Sequence, residues 1–161
     1  MYLLDTNVFI QAKNFYYSFD IAPTFWEWLD SQQSKGNIAT IQPVYDELVA
    51  GEDELAEWAK ERKHTSWFLD VSDMNTQSSL KKLSIWTMNS QFKDTAKIEF
   101  LSVADYILVA KAISTQSIVV THESLYDRNI KKKIKIPNVC EAFNITYIST
   151  FELLRKLGAR F

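Results

Sequence analysis

A chain of 161 residues, 47% apolar and 24% charged, has the balance of one ordinary globular domain, long enough to bury a real core, and is not a disordered segment. Its net charge of -2 does not mark a nucleic-acid binder overall, although acidic ligands can mask a local basic surface. One cysteine, Cys140, excludes an internal disulfide and a Cys-rich zinc site, and three glycines, Gly36, Gly51 and Gly158, leave no phosphate-cradling loop of the Rossmann or P-loop kind.

No apolar run is long enough to span a bilayer. The N-terminus carries no basic region and Asp5 interrupts its apolar stretch, so it does not read as a signal peptide. With the lone cysteine, this fits a reducing, cytoplasmic setting.

The chain opens on Met1-Tyr2-Leu3-Leu4, a short apolar strand that runs into Asp5, Thr6 and Asn7. A carboxylate at the tip of a buried strand sits on a rigid mount. Residues 6–13 form a short helix, capped by Thr6 or Asn7, and the aromatic run Phe15-Tyr16-Tyr17 follows. Ile21 to Lys35 reads as an amphipathic helix with Pro23 in its first turn and Gly36 at its end. Residues 37–41 are a buried strand. Pro43 opens a helix carrying Asp46 and Glu47 and closed by Gly51, and residues 52–64 are a charged helix. Residues 67–71 are a third strand and 75–100 a mixed helical stretch. Ser102 caps a helix from Val103 to Ser114, and residues 117–121 are the fourth strand, ending at His122 and Glu123. After the basic residues Arg128 and Lys131-Lys132-Lys133 come an extended piece at Ile134–Ile136, a short helix at 138–143, a last strand at 145–148 and a last helix at 150–157. Short apolar strands alternating with helices predict an α/β fold, a largely parallel sheet with helices on both faces. Ligands of such sheets sit beyond the carboxyl ends of the strands, where strand order reverses.

Four acids fall where such a site would lie. Asp5 and Glu123 each follow a strand. Asp105 shares a helix face with Leu108, Val109 and Ala112, an apolar stripe on which an acid needs compensation; the bland alternative is a first-turn acid favoured by the helix dipole or paired with Lys111. Glu47 follows the second strand, with Asp46 as competitor, and Asp127 competes with Glu123. Carboxylates meeting in one crevice raise one another's pKa values and are stable together when a divalent cation neutralises them. Oxygen ligands select a hard ion, Mg²⁺ or Mn²⁺, which supports metal-assisted phosphodiester hydrolysis.

The segments Leu3-Leu4-Asp5-Thr6-Asn7, Val44-Tyr45-Asp46-Glu47-Leu48, Ala104-Asp105-Tyr106-Ile107-Leu108-Val109-Ala110 and Val119-Val120-Thr121-His122-Glu123 resemble, in order and spacing, those of PIN-domain ribonucleases, the fold of VapC-type toxins. The segment Lys133-Ile134-Lys135-Ile136-Pro137-Asn138-Val139-Cys140 is similar to a PIN subgroup of otherwise unknown function. The resemblance implies a three-layer PIN-like sandwich whose five parallel strands run in the order 3-2-1-4-5. It places Asp5, Glu47, Asp105 and Glu123 in the catalytic, metal-binding positions, with Thr6, Asn7 and Thr121 as polar neighbours. It implies Mg²⁺- or Mn²⁺-dependent cleavage of RNA to a 3′-hydroxyl and a 5′-phosphate, a protein antitoxin and a homodimer. The fourth family position is usually aspartate; Glu123 reaches one methylene further.

Lys111, His122 and Arg128 are the candidate substrate contacts, and Lys131-Lys132-Lys133 with Arg128 and Lys135 are either a track for an RNA backbone or a solvated face. Trp26, Trp58 and Trp86 lie at helical apolar spacing and read as packing, and Cys140 as a small buried hydrophobe. Two rivals stand beside the nuclease. A phosphatase using Asp5 as nucleophile wants a second aspartate two residues on, where Asn7 stands. A PIN-like scaffold that binds RNA or protein without cutting has no need of four mutually repelling carboxylates.

Overall fold

Three residues of apolar strand, Tyr2–Leu4 (β1), form the centre of the sheet in the computed structural model, which describes residues 1–161. Ile38–Ile41 (β2) and Ile118–Val120 (β4) flank β1. Phe68–Leu69 (β3) and Tyr147–Ile148 (β5) form the edges, so the order is β3-β2-β1-β4-β5 and every pairing is parallel. Leu3 sits in register with Ala39 on one side and Val119 on the other. Parallel neighbours require crossovers, and these are helical: Thr6–Gln11 (α1), Pro23–Ser34 (α2), Gln42–Val49 (α3), Glu54–Glu61 (α4), Met74–Asn89 (α5), Asp94–Ser102 (α6), Ala104–Thr115 (α7) and Ile136–Ala142 (α8), with Thr150–Lys156 (α9) following the last strand. All four residues of β2 are buried, as expected of a strand covered on both faces. One cluster of 36 buried apolar residues runs through the sheet and its helices. No helix is long and apolar enough to cross a membrane.

The strand order that the resemblance implies holds; several local expectations do not. The stretch 75–100 is two helices, α5 and α6, separated at residues 90–93, where Ser90 and Lys93 are both extended. Ser102 ends α6 instead of capping the next helix, and Val103 takes the cap position of α7. At α1 the cap position belongs to Asp5, not Thr6 or Asn7, and its side chain makes no capping bond because it is turned toward β4. After α1 the chain widens into a π-helix, Ala12–Tyr16, which carries Phe15 and Tyr16. Ile134–Ile136 forms no strand. Ile134 is buried as an anchor, and Ile136 is already the first residue of α8.

Candidate metal centre

Strand order reverses between β1 and β4, and both strands deliver an acid there. The Asp5 N–H continues the ladder by donating to the Val120 carbonyl at 3.0 Å, which locks the residue in place. Asp5 is 1% exposed. Its Oδ2 accepts the Thr121 hydroxyl at 3.0 Å, while its Oδ1 is buried with no partner at all. Burial, with repulsion from Asp105 and Glu123, pushes the Asp5 carboxyl up from 3.8 to about 7 against the Thr121 bond.

Asp105 stands in the first turn of α7. Leu108, Val109 and Ala112 on its helical side are fully buried, so the acid does lie at the end of an apolar stripe. Burial, then Glu123 and Glu47, push its carboxyl up to about 6, and Lys133 opposes them. Lys111 does not compensate it: that ammonium pairs with Asp73 at 2.7 Å.

Glu47 is a brace between elements. Its Oε2 accepts the Thr6 hydroxyl at 2.5 Å and its Oε1 accepts the Ala104 N–H at 3.1 Å, tying α1, α3 and the first residue of α7 together. Glu123 is fixed from the other side, where its Oε2 accepts the Ile136 N–H at 2.7 Å at the start of α8. Thr121 also accepts the Glu123 N–H at 3.1 Å, so one threonine orients both Asp5 and Glu123. Lys133 Nζ approaches Glu123 Oε1 to 3.6 Å.

Thr6, Asn7, Glu47, Asp105 and Lys133 line one cavity of about 310 Å³, with Glu99, Phe100 and Ile134 completing its wall. Asp5 and Glu123 lie outside that lining, Asp5 being almost wholly buried; of the competing acids, Asp46 accepts only a long contact from Gln42, and Asp127 accepts the Asn129 N–H. Arg128 is paired with Glu141. His122 bonds the Thr150 hydroxyl at 2.9 Å, and burial lowers its pKa. The residues missing from the candidate set are Glu99 and, as a site residue, Lys133. Glu99 lay in a mixed helical stretch with no motif around it, and Lys133 was one member of a lysine run whose single inward-pointing residue no periodicity marks.

The donor set suits a hard cation, with the free oxygens concentrated on Asp5 and Asp105. No three His, Cys, Asp or Glu side chains close around one point. Glu47 and one oxygen of Glu123 are occupied by protein N–H and O–H groups. Mg²⁺ commonly takes one or two carboxylates and keeps its waters, and the orphaned Asp5 Oδ1 beside Asp105 matches that demand.

The parallel sheet order and the helices that cover it define a PIN-like α/β fold. The chain belongs to the family described as a domain of unknown function, DUF4411, whose model matches residues 2–161. Among solved structures it is similar to a chain of VapBC2 from Rickettsia felis bound to a DNA fragment from their promoter, at 17% sequence identity and a TM-score of 0.54, over 92% of this chain and 97% of that one. At that identity the likeness is one of fold. No curated protein is similar enough to match.

Proposed function

We propose that this chain is an endoribonuclease dependent on Mg²⁺ or Mn²⁺, the toxin half of a toxin–antitoxin pair. The observation that carries the reading is the unpartnered Oδ1 of a fully buried Asp5 beside Asp105, both carboxyls held above their ordinary range. A protein gains nothing in stability from such a pair; a cation that needs anionic oxygen does. Asp5 and Asp105 would hold the ion, with Glu47 and Glu123 completing the acidic set. A divalent ion bound there supplies an activated water and offsets the charge that builds on a phosphodiester, so no covalent protein intermediate is required.

The chain's own residues prepare that site. Thr121 holds Asp5 Oδ2 and leaves Oδ1 free. Glu47, through the Ala104 N–H, fixes the turn from which Asp105 projects. The start of α8 positions Glu123. Lys133, half-exposed at the rim, balances the acids and is placed to meet a substrate phosphate. Lys111 and Arg128, committed to Asp73 and Glu141, are weaker candidates for that contact; His122 lies beside Glu123 and keeps its candidacy. The fold neighbour is a VapBC2 assembly on promoter DNA, which supports a protein antitoxin as partner here. A homodimer and a cytoplasmic location belong to the same reading, with the whole chain acting as one domain.

One observation favours the second reading, a PIN-like scaffold that binds without cutting: Lys133 already sits where charge compensation is needed. Purified protein incubated with total RNA in Mg²⁺, Mn²⁺ or EDTA, beside Asp105→Asn, separates the two. Metal-dependent cutting abolished in the variant is the expected outcome. No cutting together with no metal binding by calorimetry would leave the scaffold.

A further inference from the structure

The aromatic side chains fall into two populations. Trp26, Trp58 and Trp67 are buried and pack edge to face in the core, so they are not available to a ligand. Phe15, Tyr16 and Phe151 are exposed, Tyr16 by 51% and Phe151 by 37%. Tyr16 and His122 lie with ring centroids 6.3 Å apart and planes within 20° of each other. Phe151 stands edge-on to both, at 5.4 Å from Tyr16 and 6.5 Å from His122.

Three separate elements build this cluster: the π-helix after α1, the residue after Thr121, and the first turn of α9. It is held from behind. Thr150 fixes the His122 ring, and Tyr17, stacked on buried Phe25 at 4.2 Å, supports Tyr16. π-Helices occur frequently at functional sites, and this one turns Tyr16 toward His122. The position is also specific. His122 lines one pocket with Glu123 and with Thr121, which holds Asp5, so the imidazole end of the cluster opens toward the acids.

We infer that Tyr16, His122 and Phe151 form a platform that stacks an unpaired nucleobase of a single-stranded nucleic acid entering the acidic site. The inference rests on the nuclease reading for its place in catalysis, but not for its measurement. Near-parallel flat faces with a hydroxyl and an imidazole at their edges suit a planar, polar-edged ligand better than an aliphatic side chain, and every base offers such a face. A base held here leaves its phosphate on the side of Glu123, with which His122 shares a pocket.

The test is fluorescence anisotropy in EDTA, where metal-dependent cutting cannot occur. The probes are an oligothymidylate of about eight nucleotides and a base-free tetrahydrofuran–phosphate strand of equal length. The expected result is tighter binding of the base-bearing strand by roughly tenfold or more, reduced at least about fivefold by Tyr16→Leu or Phe151→Leu and kept by Tyr16→Trp. Met74→Ala, exposed but outside the cluster, serves as control and leaves the preference unchanged. Equal binding of the two strands, or a preference that survives Tyr16→Leu, overturns the platform. Mn²⁺ calorimetry on the same proteins keeps the two readings apart. A base preference without metal binding sinks the nuclease and leaves the platform; the converse does the opposite.

Discussion

Lys133 is the one cation lining the acidic cavity, and its position follows from its neighbours. Ile134 is buried beside it, the Lys131 carbonyl accepts the Lys93 N–H, and Ile136 starts α8, so the lysine cannot drift far from Glu123. Its ammonium is half-exposed, which limits its worth to that of a surface pair. It nevertheless lowers the Asp105 pKa against burial and two other acids. Lys133→Met is expected to raise the Asp105 pKa by up to about 0.7 pH unit, the equivalent of an exposed pair of about 1 kcal/mol. It is also expected to tighten Mn²⁺ binding by up to roughly fivefold, because a competing charge is gone. Carboxylate-detected NMR titration and calorimetry read the two effects. An unchanged Asp105 titration would show that Lys133 does not act on the acids.

At the scale of elements, the helix most worth testing is α9, because it places Thr150 and Phe151. Ser149 caps it: the Ser149 Oγ accepts the Glu152 N–H at 3.2 Å, and Glu152 Oε2 accepts the Ser149 N–H at 2.8 Å. Losing the cap in Ser149→Ala costs about 1 kcal/mol, a fall of about 2–4 °C in melting temperature for a chain of this size. The base preference should weaken with it, since the ring wall frays. That reciprocal cap was not read in the sequence, although other local signals were. Pro23 and Pro43 open helices, Gly36 closes one at φ +74°, and short apolar runs become parallel strands. Other features depend on tertiary partners and left no local trace. Asp5 gives up its cap bond for Thr121, 116 residues away. The helical tendency of 75–100 breaks where Lys93 turns its N–H to Lys131. The π-helix has no residue pattern of its own, and the rings it places are brought together by α9 and the end of β4. The four acids were candidates from motif order, whereas their unequal engagement left no sequence signal: Glu47 and Glu123 are braced by backbone N–H groups, while Asp5 Oδ1 is without a partner.

For the whole molecule, a strained acidic site ties stability to pH. In the metal-free protein Asp5 titrates near 7 and Asp105 near 6, whereas both release their protons near 3.8 when unfolded. Between about pH 4 and 7 the folded chain therefore binds more protons than the unfolded one, and these two groups make stability fall as pH rises through that window. Below it they contribute nothing. The Asp5 shift alone caps the loss at about 4 kcal/mol. His122, its pKa lowered by burial, gives the opposite slope below pH 6.5, so the difference between variant and wild type is the quantity to follow. Asp5→Asn should match wild type near pH 4 and exceed it above pH 7, by urea unfolding in EDTA. Adding Mn²⁺ should stabilise wild type increasingly from pH 5 to 8, because the cation binds the folded, deprotonated acids, and should do little for Asp5→Asn. A variant less stable than wild type at pH 8 without metal would mean that Asp5 serves the fold. The orphaned Oδ1 at the end of β1 would then not be a ligand held ready.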